Sequence, residues 1–222
     1  MRPLISLLGL STLALAHPVS ATDVSGGVNL GGLTDVVPPS AVPRYRWELE
    51  NGFKEVQADR VPVRELAVVL TGDGPARVDK KLAVAIRGGE LEPSTLVMRS
   101  GSTLQIQNRD EIAHELFAAG HTSFSAEATG PRGERAIHLK EAGQWPIRDH
   151  LVPHARAHLH VLDDLVAIAR VDATGQFTFT DIEPGSYTLR IFHGPTQVAS
   201  QAVEVTGKTM TLKSISPTPL SR

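Results

Sequence analysis

Hydrophobic and polar residues alternate over many short segments of this chain, and a period of two is typical of half-buried β-strands. Residues 103–108 alternate cleanly, and residues 158–161 place two histidines on one face with Leu159 and Val161 on the other. Turns rich in glycine and proline separate such segments at near-regular spacing. The pattern therefore predicts an all-β protein in which sheets pack as sandwiches.

The remaining segments with strand character are spread along the chain, and residues 120–133 between two of them have the composition of a loop. A pair of strands is predicted within residues 198–205. The other predicted strands lie at residues 24–28, 66–70, 80–87, 96–98, 116–117, 136–139, 166–170, 176–180 and 187–192.

The start of the chain has the features of a secretory signal peptide. Arg2 supplies a positive charge, and residues 4–16 form an apolar run that is too short to span a bilayer. Small residues follow, so we expect cleavage after Ala21, with cleavage after Ala16 as the alternative. No later apolar run is long enough to cross a membrane. The sequence thus predicts an exported protein without a membrane span.

Composition narrows the classes of function. The chain of 222 residues has 22 basic and 24 acidic side chains, and this near balance gives no electrostatic surface for nucleic acid. It has no cysteine, which excludes disulfides and thiolate metal ligands. There is no phosphate-binding glycine loop or nucleophile elbow, and the pair Asp163 and Asp164 is typical of a turn. We therefore expect a protein that is not an enzyme.

Histidines are concentrated in one part of the chain. Of the nine histidines, four fall within residues 148–161. Neutral imidazole is the commonest metal ligand in proteins, so this cluster suggests a metal site. Pro153 argues against a helix that would align three of them, because proline in a helix interior removes a hydrogen bond. The alternative is a solvated histidine-rich loop that runs into an edge strand. The four histidines are His150, His154, His158 and His160.

Residues 83–161 resemble the cupredoxin fold of plastocyanin and azurin. The resemblance rests on residues 91–96 and 100–104, and on an Asn-x-Asp-x-x-x-His pattern that starts at Asn108. In that family the histidine of this pattern is the first copper ligand, which implies this role for His114. A later loop of the family supplies a cysteine, a second histidine and usually a methionine. The strand that leads into this loop resembles residues 141–146.

The chain departs from that family in the later loop, which counting back from the final strand places at residues 147–155. Because a blue copper centre requires a thiolate, the absence of cysteine excludes type 1 electron transfer. The remaining candidate ligands for copper or zinc are His114, His150 and His154, with His158 ranked after them and Asp149 as a possible addition. The alternative is a cupredoxin-like sandwich that has lost its metal.

Residues 167–189 resemble the carboxypeptidase regulatory-like (transthyretin-like) repeat. The resemblance rests on an Asp-x-x-Gly turn at Asp172, on Phe177 and Phe179, and on a Pro-Gly turn followed by Tyr187. Residues 24–28 and 66–70 fit the two preceding strands of that fold. The same combination occurs in periplasmic plastocyanin-like proteins that are often labelled methylamine utilization proteins.

Together the two resemblances imply two Greek-key β-sandwich units, with one inserted into the other. Residues 22–75 and 163–213 would form the carboxypeptidase regulatory-like unit, and residues 76–162 the cupredoxin-like unit. Residues 214–222 are polar and contain proline, so we expect a disordered tail.

Two functions follow as alternatives. One is the binding, buffering or delivery of copper or zinc in the periplasm. The other is a metal-free β-sandwich that binds a protein or carbohydrate partner. The feature that separates them is whether His114 meets the loop from Asp149 to His154 in space.

Overall fold

The computed structural model describes residues 21–30 and 65–218. Residues 1–20, which hold nearly all of the predicted signal peptide, and residues 219–222 lie outside the described residues. The described part contains sixteen β-strands and no α-helix, so the prediction of an all-β protein is confirmed. It contains no helix with the length and apolar character that a membrane crossing needs.

The strands follow one another through the described ranges. They are β1 (Thr22–Gly27), β2 (Leu66–Gly72), β3 (Lys81–Arg87), β4 (Glu90–Glu92), β5 (Thr95–Arg99), β6 (Ser102–Asn108), β7 (His114–Ala118), β8 (Glu127–Thr129), β9 (Glu134–Leu139), β10 (Gly143–Asp149), β11 (Ala157–Leu162), β12 (Leu165–Ala169), β13 (Gln176–Ile182), β14 (Gly185–His193), β15 (Thr196–Val205) and β16 (Met210–Thr211).

The strands form four sheets, which divide into two groups along the sequence. Strands β3 to β11 make a four-stranded sheet in the order β4-β3-β6-β9 and a five-stranded sheet in the order β5-β11-β10-β7-β8. We call this group the central unit. The other strands make a four-stranded sheet in the order β12-β2-β14-β15 and a three-stranded sheet in the order β13-β1-β16. We call this second group the terminal unit.

Each unit has a hydrophobic core between its two sheets. In β6 every second side chain is buried, and Leu104 and Ile106 lie in the central core. The alternation of the sequence in this strand therefore gives one buried face, as predicted. The terminal core is formed in the same way by the strands on either side of the central unit, including Phe177 and Phe179 on β13.

Strand β2 is buried on both of its faces, which explains its continuous apolar sequence. Val68 and Leu70 pack in the terminal core. Ala67 and Val69 point the other way, into a small third cluster that joins the two units. Further members of this cluster are Val97 from the central unit and Leu165 and Phe192 from the terminal unit.

The predicted turns of the terminal unit are confirmed by their hydrogen bonds. Oδ1 of Asp172 accepts the N–H groups of Thr174 and Gln176, which closes the turn before β13. Gly175 in this turn has a φ of +85°, which favours glycine. Tyr187 is buried in the terminal core, and its hydroxyl donates to the carbonyl of Glu183 at 2.9 Å.

Three predictions about elements differ from the structure. Residues 198–205 belong to a single strand, because residues 199–205 pair continuously with β14 and the one irregularity, at Val198, does not end the strand. Strand β8 lies within residues 120–133, which were predicted as a loop. It has no alternating hydrophobic pattern and is a strand because its backbone pairs with β7. The expected disordered tail is ordered as far as residue 218, because Ile215 is buried and bridges to Val28.

A buried histidine lies where the two units meet. His160 of β11 has its Nε2 2.8 Å from the carbonyl oxygen of Gly194, and its ring centroid is 4.4 Å from that of Phe192. The N–H of Gly194 donates to Oγ1 of Thr95 on β5. The turn between β14 and β15 is therefore held by two strands of the central unit.

Candidate functional site

Three loops meet at one end of the central unit. β6 ends in one sheet at Asn108, and β7 begins in the facing sheet at His114. The Nδ2 of Asn108 donates to the carbonyl of Ile112 and to two carbonyls at and just beyond the end of β8. Its Oδ1 accepts the N–H of Asp110. The connection between the two sheets is therefore fixed where His114 begins its strand.

The side chain of His114 is fully buried and lies between two carboxylates. Its Nδ1 is 2.7 Å from Oδ2 of Asp149 at the end of β10. Its Nε2 is 3.1 Å from Oδ2 of Asp110. Both ring nitrogens therefore lie within hydrogen-bond distance of a carboxylate oxygen. The imidazole thus connects the loop after β6 to the loop after β10.

The second carboxylate oxygen of Asp149, Oδ1, accepts hydrogen bonds from backbone N–H groups. This Oδ1 accepts the N–H of Glu115 at 3.1 Å, of Leu151 at 2.8 Å and of Val152 at 3.1 Å. A carboxylate with several such partners fixes the backbone around it. The histidine-rich loop after β10 therefore turns about the Asp149 side chain.

Asp110 holds the turn that follows β3. Its Oδ1 accepts the N–H of Gly88 at 2.6 Å, and its Oδ2 accepts the N–H of Gly89 at 2.8 Å. Burial acts to raise the pKa of Asp110, but these two N–H groups and His114 outweigh it and leave the pKa below its usual value. Asp110 is therefore a charged carboxylate that joins both sheets of the central unit.

His154 packs against the same turn. A Cβ placed on Gly89 would lie 2.4 Å from Nε2 of His154, so any larger residue at this position would displace the imidazole. Gly89 also has a φ of +74°, which favours glycine. One loop histidine of the predicted site therefore lies next to the turn that Asp110 holds.

His150 lies on the opposite side of the sheet from His114. In β7 the side chain of His114 points inward, and those of Glu115 and Phe117 point outward. The ring centroid of His150 is 4.3 Å from that of Phe117, and its Nδ1 is 3.7 Å from Oε2 of Glu115. The five-stranded sheet thus separates His150 from His114.

His158 belongs to the junction between the two units. It alternates with Leu159, which packs in the central core, and shares the other face of β11 with His160, as predicted. Its Nδ1 would lie 3.8 Å from a Cβ placed on Gly194. Burial lowers the pKa of His158, and the positive charges of Arg148 and His160 lower it further. His158 is therefore not placed beside His114.

These positions do not fit a type 1 copper centre. A metal ligand must direct a lone pair at the ion, whereas both ring nitrogens of His114 face carboxylate oxygens. The carboxylate of Asp149 meets His114 directly, and the chain has no cysteine. In residues 21–30 and 65–218, no three side chains of His, Asp or Glu are grouped to hold a metal ion. The arrangement instead fastens three loops together.

Large apolar side chains are exposed on the fastened loops. Ile112, between Asp110 and His114, is 47% exposed. Leu151, whose N–H is bound by Asp149, is 54% exposed. Because hydrogen bonds fix the backbone of these loops, little ordering would be needed for a partner to cover the two side chains. We call Ile112, Leu151 and the loops that carry them the loop end.

Sequence reasoning identified His114 but not the roles of Asp110 and Gly89. The Asn-x-Asp spacing was the only feature of the sequence that drew attention to Asp110. It did not show that this carboxylate binds the turn after β3. Gly89 was predicted as part of a turn, and the approach of His154 depends on the fold.

No protein-family model matches this chain. No curated protein matches it. A structure of a copper(I) mutant of amicyanin matches 42% of this chain and 97% of its own length, with 22% identity and a TM-score of 0.34. Amicyanin from Paracoccus versutus matches 42% of this chain and 96% of its own length, with 19% identity and a TM-score of 0.34. The carboxypeptidase regulatory-like resemblance has no support from these structures.

Proposed function

We propose that this chain is an exported, cupredoxin-like binding protein whose loop end contacts a protein partner and holds no metal ion at His114. The observation that carries this proposal is the position of the buried His114 ring between the carboxylates of Asp149 and Asp110. The place of a metal ligand is taken by an internal hydrogen-bond network, and the network gives the loop end a fixed shape.

The chemistry of the exposed side chains supports a protein partner over a carbohydrate. Ile112 and Leu151 are aliphatic, and exposed aliphatic groups gain free energy when another apolar surface covers them. Carbohydrate rings stack on flat aromatic faces, and the exposed large apolar side chains of the described residues are all aliphatic. A protein surface of apolar character is therefore the better match.

The proposed location is the periplasm. Arg2 and the apolar run at residues 4–16 support export through a cleaved signal peptide. The resemblance to periplasmic plastocyanin-like proteins supports that compartment over full secretion. Mass spectrometry of the mature N-terminus after cell fractionation tests both points, and a cytoplasmic protein that keeps Met1 would contradict them.

Binding of copper or zinc is the second candidate function. It is favoured by one observation, which is that His114 meets Asp149 and that His154 lies beside the turn held by Asp110. A metal ion at His114 would have to displace one of the two carboxylate contacts. Metal analysis of untagged protein from its native compartment separates the two candidates, since a stoichiometric metal content supports this second function.

Site-specific photo-crosslinking in cells tests the proposed contact surface. A crosslinking side chain at Ile112 or Leu151 is expected to capture the same partner protein. Ile168 on β12 is the matched control, because it is 39% exposed and apolar but belongs to the terminal unit. Capture at Ile168 of the same protein with equal yield, or no capture at Ile112 and Leu151, would contradict a partner site at the loop end. Retention on polysaccharide that depends on Leu151 would favour a carbohydrate instead.

A further inference from the structure

Strand β15 is the longest strand of the protein's described part and lies at the edge of its sheet. Its ten residues contain one charged side chain, Glu204, and no proline, and the one irregularity in its pairing with β14 lies at Val198. The outer edge of such a strand presents backbone N–H and C=O groups that another strand can pair with. Soluble proteins usually protect long edges with charges, prolines, bulges or covering segments.

The other edges of the four sheets are short, charged or covered. Strands β4, β8 and β16 have at most three residues. Strand β9 carries the charges of Glu134 and Arg135. Strand β12 is covered, because Arg77 donates its N–H to the carbonyl of Val166. Strand β5 is almost entirely buried against the terminal unit.

Strand β13 is interrupted near its end by Asp181, a charged residue with a φ of +59°. The edge of β15, which is long and carries a single charge, is therefore an exception among the edges of the described sheets.

A tail segment covers one part of β15. Thr218 donates its N–H to the carbonyl of Val198, and Ile215 and Pro217 are buried nearby in the sequence. Within the described residues, no strand pairs with the remaining edge at residues 199–205. Its side chains at positions 200, 201 and 202 are all exposed. This edge has the length of an ordinary β-strand pairing.

We propose that the edge at residues 199–205 pairs with the same edge of a second copy of this chain, antiparallel about Ala202. Two-fold symmetry brings identical edges together in opposite directions. In this register Ala202 faces Ala202 of the second copy, and Ser200 faces Glu204, so no like charges are opposed. A parallel in-register pairing would place Glu204 against Glu204. The antiparallel pairing joins the four-stranded sheets of the two copies into one continuous sheet.

The dimer is expected to be weak, because the contact between the two copies is small. Pairing of two seven-residue edges buries less surface than a permanent interface, so the dimer is expected to form reversibly. This inference concerns the terminal unit and is independent of the function proposed for the loop end. The loop end belongs to the central unit, whereas the edge of β15 belongs to the terminal unit.

Sedimentation velocity of the untagged, full-length chain over a wide range of concentrations tests the pairing. The average mass is expected to rise from that of a monomer towards twice that value. Ala202→Lys places two lysines opposite each other at the symmetry axis, and this variant is expected to stay monomeric. An equimolar mixture of Ala202→Lys and Ala202→Glu is expected to associate again. Thr180→Lys, an exposed position on β13, is the control that leaves association unchanged.

Two results would overturn the proposal. One is a chain that stays monomeric at every concentration, or an association that Ala202→Lys leaves unchanged. The other is protection of the backbone amides of residues 199–205 from hydrogen exchange that does not depend on concentration. Such protection would mean that another part of the same chain covers this edge.

Discussion

Asp149 and His114 meet across the end of the central unit with Oδ2 2.7 Å from Nδ1, and both side chains are completely buried. Their strands, β10 and β7, are neighbours in the same sheet, and Asp110 extends the contact to the facing sheet. A buried polar network is stabilising when all its members have partners. The oxygens of both carboxylates also accept backbone N–H groups, so this network fastens the loops to one another.

Replacement of Asp149 is expected to destabilise the fold. Asp149→Ala leaves Nδ1 of His114 and three backbone N–H groups without their partner, and the loss is expected to be about 3 kcal/mol of unfolding free energy. Asp149→Asn keeps a carbonyl oxygen and is expected to lose less. Urea denaturation measures both values.

The control for this prediction is Asp79→Ala, at an exposed carboxylate in the connection between β2 and β3. It is expected to change the unfolding free energy by no more than about 0.5 kcal/mol. Equal losses for Asp79→Ala and Asp149→Ala would show that the contact with His114 does not stabilise the protein.

Alanine at Gly89 and Gly88 gives a matched pair of variants. Both glycines have positive φ, so alanine is strained at either position by about 1 kcal/mol. At Gly88 a Cβ meets nothing within 4 Å, but at Gly89 it lies 2.4 Å from Nε2 of His154. Gly89→Ala is therefore expected to destabilise by roughly 1 kcal/mol more than Gly88→Ala.

A His154→Ala background tests the cause of that difference. With the imidazole removed, thermal or urea denaturation should give similar losses for Gly88→Ala and Gly89→Ala. A difference that persists without His154 would mean that the turn after β3 is sensitive for another reason.

Tyr187→Phe removes the hydrogen bond from the hydroxyl to the carbonyl of Glu183, and the expected loss near neutral pH is about 1 kcal/mol. Burial raises the pKa of Tyr187, the charge of Glu183 raises it further, and Arg77 opposes them. The unfolded chain therefore loses this proton first as the pH rises above about 10. The stability advantage of the parent over Tyr187→Phe should shrink in that range, and an advantage that grows would refute the assignment.

His160 is expected to make the protein less stable in weak acid. Burial lowers its pKa, and the hydrogen bond to Gly194 opposes the shift only in part. Below about pH 6.5 His160 is protonated in the unfolded chain but still neutral in the folded protein. The unfolding free energy therefore falls as the pH decreases, until the pKa of His160 in the folded protein is reached. His158 has a lowered pKa as well and contributes in the same direction.

The variant His160→Gln keeps a donor for the Gly194 carbonyl but does not titrate. Its unfolding free energy, measured at about pH 7.5 and about pH 5, should change less with pH than that of the parent. His138→Gln, at an exposed histidine of β9, is the control variant. An unaltered pH dependence in His160→Gln would contradict the role of burial.

Alternation along the sequence was sufficient to predict strands such as β6, because one face of each is buried in a core. It could not predict β8, whose three residues are ordered by pairing with His114 and its neighbours. The sequence also could not predict where the ordered part of the tail ends. Ile215 is ordered by a bridge to Val28, which is far from it along the sequence. Local patterns predict elements, and long-range contacts decide where they end.

Several residues of the candidate site could be predicted from the sequence, but their arrangement in space could not. The resemblance pointed to His114, and the histidine cluster pointed to the loop after β10. Spacing alone did not show that Asp149 would turn inward to His114 while His150 points to the outer face. That difference depends on the strand register between β7 and β10, which the sequence does not encode in any short pattern.

Calorimetric titration with Zn(II) and Cu(II) tests the central claim. This claim is that both ring nitrogens of His114 contact carboxylates and that neither binds a metal ion. The untagged parent is compared with a variant in which His114 and His154 are both alanine, after confirming that the variant is folded. We expect no stoichiometric binding in the parent and the same weak heats in both proteins. Stoichiometric binding by the parent that is lost in the variant would contradict the account and establish the metal-binding function instead.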